Sequence, residues 1–169
     1  MEKLTLSVNQ TLKLGKRIAV CLGPGDILLL SGNLGAGKTV LAKGIAQGLG
    51  IDKNEVISPT FVLLRLYQGK HLLQHFDFYR INRPQDIYAL GCQEYLDSRA
   101  VTLIEWPERL KFLLPKEFLK IKLILKGKNQ RLLKFTAKGL RYKKLLKEIG
   151  AGINPALSLK VNTCKERAG

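Results

Sequence analysis

Runs and alternations of apolar residues divide the first part of the chain into a strand, a helix and a second strand. Residues 4–8 alternate between apolar and polar positions, which predicts a first strand. Asn9 is expected to cap a helix over residues 10–22, where apolar side chains recur at helical spacing. Residues 26–31 form an almost uninterrupted apolar run, typical of a parallel strand buried on both faces. This order of elements favours an α/β fold.

The rest of the chain predicts a sheet extended by antiparallel hairpins. Residues 61–68 and 71–78 flank a Gly69-Lys70 turn, and residues 118–126 and 131–137 alternate on either side of a turn. The other predicted elements are helices over residues 84–90, 107–113 and 140–149 and a short strand over residues 101–105. Together they predict a mixed sheet flanked by helices, with antiparallel hairpin additions.

A glycine-rich segment after the second strand has the pattern of a phosphate-binding loop. Residues 32–39, GNLGAGKT, match G-x-x-x-x-G-K-[ST], and a helical pattern follows. Glycines let successive backbone N–H groups point at phosphate oxygens, and a helix N-terminus favours an anion. Lys38 supplies a cation for the outer phosphates, and the Thr39 hydroxyl suits Mg²⁺. We therefore predict a P-loop NTPase-like fold, with nucleotide contacts from Leu34, Gly35, Ala36, Gly37, Lys38, Thr39 and Val40.

Two acids are candidates to complete a nucleotide site. Glu105 ends the apolar strand over residues 101–105, and Asp77 ends a less regular strand. An acid at such a strand end can bind Mg²⁺ or orient an attacking water, but it can equally be an ordinary surface residue. Thr60 lies in a Ser-Pro-Thr segment that is either a phosphate-sensing switch or a turn built around a proline.

The size and the charge of the chain limit its class and its partners. With 169 residues, of which 46% are hydrophobic, we expect one domain over residues 1–150 and a loosely ordered basic tail over residues 151–169. The net charge is +16, and the part from Lys116 onward has 15 Lys and Arg against 3 Glu. Such a surface suits RNA or an acidic protein, or is simply a solvated lysine-rich face.

The sequence gives weaker evidence on the cellular compartment and on metal binding. The N-terminus lacks an apolar signal region and the apolar runs are too short to span a bilayer, so a cytoplasmic protein is expected. Cys21, Cys92 and Cys164 are widely spaced, which argues against a zinc site or a disulfide framework. His71 and His75 are four residues apart on a predicted strand with no third ligand nearby, so a metal site there is not expected.

Four segments together resemble one family. These are residues 32–39, then the Ser-Pro-Thr-Phe of residues 58–61, then HFDFYR at residues 75–80, then LIEWPER at residues 103–109. They resemble the TsaE family, bacterial P-loop ATPases needed for threonylcarbamoyladenosine modification of tRNA. The resemblance extends from about Leu4 to about Ile149. One departure is Asn33, where the family usually has an acidic residue, so that the loop loses a negative charge.

The resemblance implies an ATPase site that uses ATP and Mg²⁺. It implies that Thr39 and Glu105 bind Mg²⁺ and that Lys38, Asp77 and Glu105 are the catalytic residues, with Asp77 on the γ-phosphate side. It also implies that Thr60 belongs to a switch-like segment and that Thr11 lies near the nucleotide base. The implied partners are TsaD and TsaB, with tRNA reached through that complex and direct contact with tRNA left open.

Other functions share the phosphate-binding loop. A small-molecule kinase would need an arginine-rich lid, and no such long insertion is visible. A nucleotide-gated module that binds RNA or protein would bind ATP without turnover. The leading hypothesis is an accessory ATPase whose slow hydrolysis is accelerated by its partners. An arginine supplied by a partner is the expected cause, because no sequence feature identifies one supplied in cis.

Overall fold

A single mixed sheet organises the structure, a computed structural model that describes residues 1–52, 54–89, 91–96 and 98–151. Its seven strands lie in the order β1-β7-β6-β2-β5-β4-β3. The central pairs β6–β2, β2–β5 and β5–β4 are parallel, and the outer pairs β1–β7, β7–β6 and β4–β3 are antiparallel. The strands are β1 Glu2–Thr5, β2 Ile27–Ser31, β3 Leu64–Tyr67, β4 Leu73–Asp77, β5 Val101–Glu105, β6 Phe118–Leu125 and β7 Arg131–Lys138.

Helices cover both faces of the central strands. The helices are α1 Val8–Val20, α2 Lys38–Gly48, α3 Pro84–Ala89, α4 Cys92–Leu96 and α5 Leu140–Gly150. Helices α1, α2 and α5 contribute side chains to one buried cluster, and α3 and α4 contribute to a second cluster on the other face. Because β2, β4 and β5 are enclosed from both sides, all their residues are buried.

The predicted fold class is confirmed, and several element boundaries are corrected. Helix α1 begins at Val8, not after Asn9, because Ser7 is its N-cap and its hydroxyl accepts from the Gln10 N–H at 3.1 Å. Ser7 and Gln10 have the spacing of a capping box, a signal that was present in the sequence. Consequently β1 ends at Thr5 rather than continuing to residue 8.

After residue 60, turns replace parts of the predicted strands and helices. Strand β3 begins at Leu64 rather than at residue 61, because the N–H groups of Val62 and Leu63 bond to the Pro59 carbonyl. The predicted helix over residues 107–113 is two 3₁₀ turns, Pro107–Arg109 and Lys111–Leu113. Helix α4 was not predicted at all. The predicted tail beyond Ala151, Cys164 and the Leu90 end of α3 lie outside the described residues.

Candidate nucleotide-binding site

The glycine-rich segment joins β2 to α2 at the carboxyl edge of the sheet, as predicted. Gly37, the N-cap of α2, has a φ of +101°, which a residue with a side chain adopts only with strain. Gly32 has a φ of +140°, and an added Cβ there would lie 2.4 Å from the Leu123 carbonyl oxygen. The loop therefore requires glycine at these two positions for conformational and steric reasons.

Lys38 is folded back onto the loop that it follows. Its ammonium donates to the carbonyl oxygens of Gly32 at 2.8 Å and Asn33 at 3.1 Å, and it lies 4.0 Å from the centre of the Trp106 ring. Burial lowers the pKa of Lys38, and the nearby carboxylates of Glu105, Asp77 and Glu108 oppose that shift. A phosphate at the loop would add negative charge and so favour the charged ammonium further.

Thr39, in the first turn of α2, contacts Glu105, the last residue of β5. The Thr39 hydroxyl lies 3.2 Å and 3.4 Å from the two carboxylate oxygens of Glu105, which is 2% exposed. One hydroxyl and one carboxylate are hard oxygen donors that suit Mg²⁺, which typically keeps several waters and takes its remaining ligands from phosphates. The described residues contain no group of three or more His, Cys, Asp and Glu able to hold a metal.

His75 reaches Glu105 from strand β4. Its Nε2 lies 3.0 Å from the Glu105 carboxylate, and the imidazole is completely buried. Because a carboxylate only accepts hydrogen bonds, the imidazole donates through Nε2–H. His71 is in a bend before β4 rather than on the strand, so the two histidines do not form the predicted pair along one strand. Sequence reasoning considered His75 only as a metal ligand and missed this contact.

Asp77 lies beside Glu105, because the two residues are register partners on β4 and β5. One oxygen of Asp77 accepts from the Ser58 hydroxyl at 2.6 Å and from the Thr60 hydroxyl at 2.5 Å, and the other accepts from the Tyr79 N–H at 2.9 Å. The Ser-Pro-Thr segment is therefore attached directly to the acid predicted to position water. Thr60 belongs to a turn, as one reading of the sequence held, and that turn adjoins the site.

Arg131, at the start of β7, was missed from the sequence. Its side chain packs against the loop so closely that a Cβ on Gly37 would lie 2.6 Å from its Nε. Nη1 donates to the Asn129 carbonyl at 3.0 Å, and the buried Nε has no partner among the described residues. The sequence signal that could have identified it was its place in an alternating strand, where Arg131 lies on the same inward-facing side as the buried Leu133 and Phe135.

The remaining predicted contacts differ in accessibility. Leu34 is 73% exposed at the tip of the loop, Ala36 is buried and Val40 is half-buried on α2. Thr11 is fully buried, and its hydroxyl bonds with the Thr5 hydroxyl at 2.9 Å and the Ser7 carbonyl at 3.2 Å. Thr5 also reaches the Arg131 carbonyl at 3.4 Å, so the Thr11 region connects to the loop through Arg131.

The family is decided by a match over most of the chain. Residues 5–133 match the model of TsaE, described as the threonylcarbamoyl adenosine biosynthesis protein TsaE. The chain belongs to the TsaE family. The matched range includes every candidate site residue discussed above, Arg131 among them.

Individual relatives agree with the family match. The chain is 40% identical to the Bacillus subtilis tRNA threonylcarbamoyladenosine biosynthesis protein TsaE over 146 residues, 86% of this chain and 90% of that protein. The TsaE protein of Treponema pallidum is 40% identical over 68% of this chain and 84% of its own length. The crystal structure of Bacillus subtilis YdiB superposes with a TM-score of 0.76 at 34% identity, covering 89% of this chain and 94% of that one.

The structure also bears on membrane association. Among the described residues, every helix falls short of the length and apolarity that crossing a bilayer requires. The longest of them, α1, has 13 residues.

Proposed function

We propose that this TsaE protein binds and hydrolyses Mg-ATP to support the TsaD–TsaB complex that transfers a threonylcarbamoyl group to tRNA adenosine in the cytoplasm. The observation that carries the proposal is the approach of Thr39 to Glu105. Beside this pair lies the loop lysine, Lys38, which is buried near the carboxylates of Glu105, Asp77 and Glu108. A phosphate-binding loop alone would fit many functions. A hydroxyl and a carboxylate placed together at its helix end favour a Mg-nucleotide.

Each residue of the site has a distinct part in this proposal. Backbone N–H groups of residues 34–40 bind the phosphates, and Lys38 leaves its two carbonyl partners to contact the outer phosphates. Thr39 and Glu105 hold Mg²⁺, which when bound screens the negative charge of the phosphates. Arg131, which packs against Gly37, contributes a second cation. Asp77 orients the attacking water.

The hydrogen bonds of Asp77 imply a conformational step before hydrolysis. Ser58 and Thr60 both donate to the same carboxylate oxygen, so that oxygen is occupied in the present arrangement. In the proposed cycle, the γ-phosphate attracts the Thr60 hydroxyl and frees Asp77 to accept from water. Turnover would then require movement of the segment around Pro59, a point at which a partner could control the rate.

Steady-state ATP hydrolysis tests the proposal, measured for the protein alone and with the TsaD–TsaB pair, each with and without tRNA. We expect very slow turnover alone and acceleration by the pair, because a partner arginine can be worth about 10³–10⁵ in rate. Lys38→Ala should abolish the accelerated rate.

Phosphate transfer to a metabolite instead of water would support a kinase. ATP-dependent association with no turnover, even with both partners, would support a binding module. Fast turnover that the pair leaves unchanged would contradict partner activation.

A further inference from the structure

One face of the β6–β7 hairpin is rich in lysine. Lys120 and Lys122 on β6 are register partners of Thr136 and Lys134 on β7, and Lys138 pairs with Phe118. Because side chains alternate along a strand, these residues share one face, here called the basic face: Lys120, Lys122, Lys134, Thr136 and Lys138. The opposite face is buried against α1, α2 and α5. On the basic face, Lys120 is half-buried and the other four side chains are exposed.

The basic face ends in a cleft beside the phosphate-binding loop. The cleft has a volume of about 210 Å³ and is lined by Lys120 and Lys122 on one side and by Trp106 and Glu108 on the other, with Ser31 and the backbone of residues 32–33 between them. Ser31 is 4% exposed, and its buried hydroxyl has no hydrogen-bond partner among the described residues. A buried donor of this kind next to two lysines suits an anionic oxygen.

The charge of this surface favours a polyanion over a protein partner. Its acidic neighbours are few: Glu2 pairs with Lys134 at 2.9 Å, and Glu108 lines the far wall of the cleft. Lysine is depleted from protein–protein interfaces, whose cores are built around aromatic and apolar anchors. The centre of the basic face instead carries lysines and a threonine, which are the side chains that contact nucleic-acid phosphates.

We propose that the basic face binds the phosphodiester backbone of RNA, with Lys120 and Lys122 as its principal contacts and the Ser31 hydroxyl donating to a phosphate oxygen in the cleft. This inference rests on the proposed function, because that function makes tRNA the relevant RNA. The RNA would approach the nucleotide site directly, since the cleft shares Trp106 and the first two loop residues with it.

The test measures binding of a fluorescently labelled, unmodified tRNA transcript to the full chain by anisotropy over a range of salt concentrations, without nucleotide. The double variant Lys120→Ala/Lys122→Ala should lower the affinity about tenfold or more and reduce the salt dependence by about 0.7–0.9 per lost phosphate contact. The matched control is Lys143→Ala/Lys144→Ala, which removes the same charge from exposed positions of α5. It should change the affinity less than about twofold.

Several results would overturn the proposal. They are an absence of tRNA binding by the wild type, an equal loss in the two double variants, and a loss of binding on deleting residues 152–169 while Lys120 and Lys122 prove dispensable. Salt-sensitive association with the TsaD–TsaB pair but not with tRNA would instead assign the face to a protein. ATP hydrolysis is measured separately for every variant, so a failure of RNA binding is distinguishable from a failure of the ATPase proposal.

Discussion

The central strands bury carboxylates both at the edge formed by their amino ends and at the edge formed by their carboxyl ends, but the partners of these carboxylates differ. At the amino edge, Asp26 is held by the Arg141 guanidinium, with nitrogen–oxygen distances of 3.0 Å and 2.6 Å, and by the Gly23 N–H at 2.8 Å. At the carboxyl edge, Glu105 and Asp77 are equally buried. Their ordered partners are hydroxyl groups, a backbone N–H and one imidazole, and no Lys or Arg among the described residues forms an ion pair with either.

This difference separates a carboxylate that stabilises the fold from carboxylates available to a ligand. Asp26 already has a cationic partner that offsets its charge, so it is less available to a metal than a carboxylate without one. Glu105 and Asp77 are buried without such a partner, which is costly unless a cation or a polarised water joins them. Four predictions test the contrast, in order of the expected effect on nucleotide chemistry.

The largest effect is expected from Asp77→Asn, which keeps the shape of the side chain and removes its charge. If Asp77 orients the attacking water, partner-stimulated turnover should fall by about 10²–10⁴-fold, while nucleotide affinity changes little. Single-turnover kinetics with separate binding titrations distinguish these quantities. Ser58→Ala is the matched control, since it removes one donor to Asp77 and leaves the carboxylate in place. Equal losses in both variants would mean that Asp77 only anchors the Ser-Pro-Thr segment.

A numerically smaller effect, on nucleotide affinity rather than on turnover, is expected from Lys38→Ala in a direct nucleotide titration. The ammonium would lose a charge-assisted contact worth about 1.5–3 kcal/mol, or roughly tenfold to a hundredfold in affinity. Lys43→Ala, at a half-buried position on the same helix, should bind nucleotide like the wild type. Thermal unfolding of both variants checks that the fold survives. Wild-type affinity in Lys38→Ala would contradict the assignment of the loop.

His75 is expected to act as a positioning residue for Glu105. In His75→Leu the carboxylate loses its Nε2 donor, and the affinity for Mn²⁺ in the presence of ADP should fall about tenfold, measured by electron paramagnetic resonance. The amide of His75→Gln can donate from a similar place and should restore most of that affinity. A purely structural role would lower the thermal stability in both variants and leave the metal affinity unchanged.

The same contrast shows which parts of the molecule the sequence could predict. Strand β5 has the predicted bounds, and β2 differs by one residue, because continuous apolar runs end there at polar residues. The adjacency of Glu105 to β2 followed from placing its strand beside the loop strand. Local signals are enough for such elements when burial on both faces imposes an unambiguous pattern.

Long-range contacts between polar side chains were the part that periodicity could not give. The approach of His75 to Glu105 and of Arg131 to Gly37 depends on strand order and register, which place residues far apart in sequence at one edge. Arg141 is a similar case at the other edge, because its partner Asp26 is 115 positions away. A single sequence does not specify which distant strands become neighbours, so these pairs emerged only from the structure.

The smallest effect on nucleotide chemistry, and a clear effect on stability, is expected from Asp26→Asn. The substitution removes the charge that holds Arg141. The ion pair between Asp26 and Arg141, together with the hydrogen bond that the Ile27 N–H donates to the Tyr142 hydroxyl, attaches α5 to the start of β2. We expect the free energy of unfolding to fall by about 1–3 kcal/mol, less than for a fully buried pair, because the Arg141 side chain is 39% exposed. Denaturant unfolding measures the loss. Asp86→Asn, which breaks the exposed Arg83–Asp86 pair, should cost less than about 1 kcal/mol. ATP affinity and stimulated turnover should stay at wild-type values in both variants, and a fall in turnover without a fall in stability in Asp26→Asn would show that the two edges are not functionally separate.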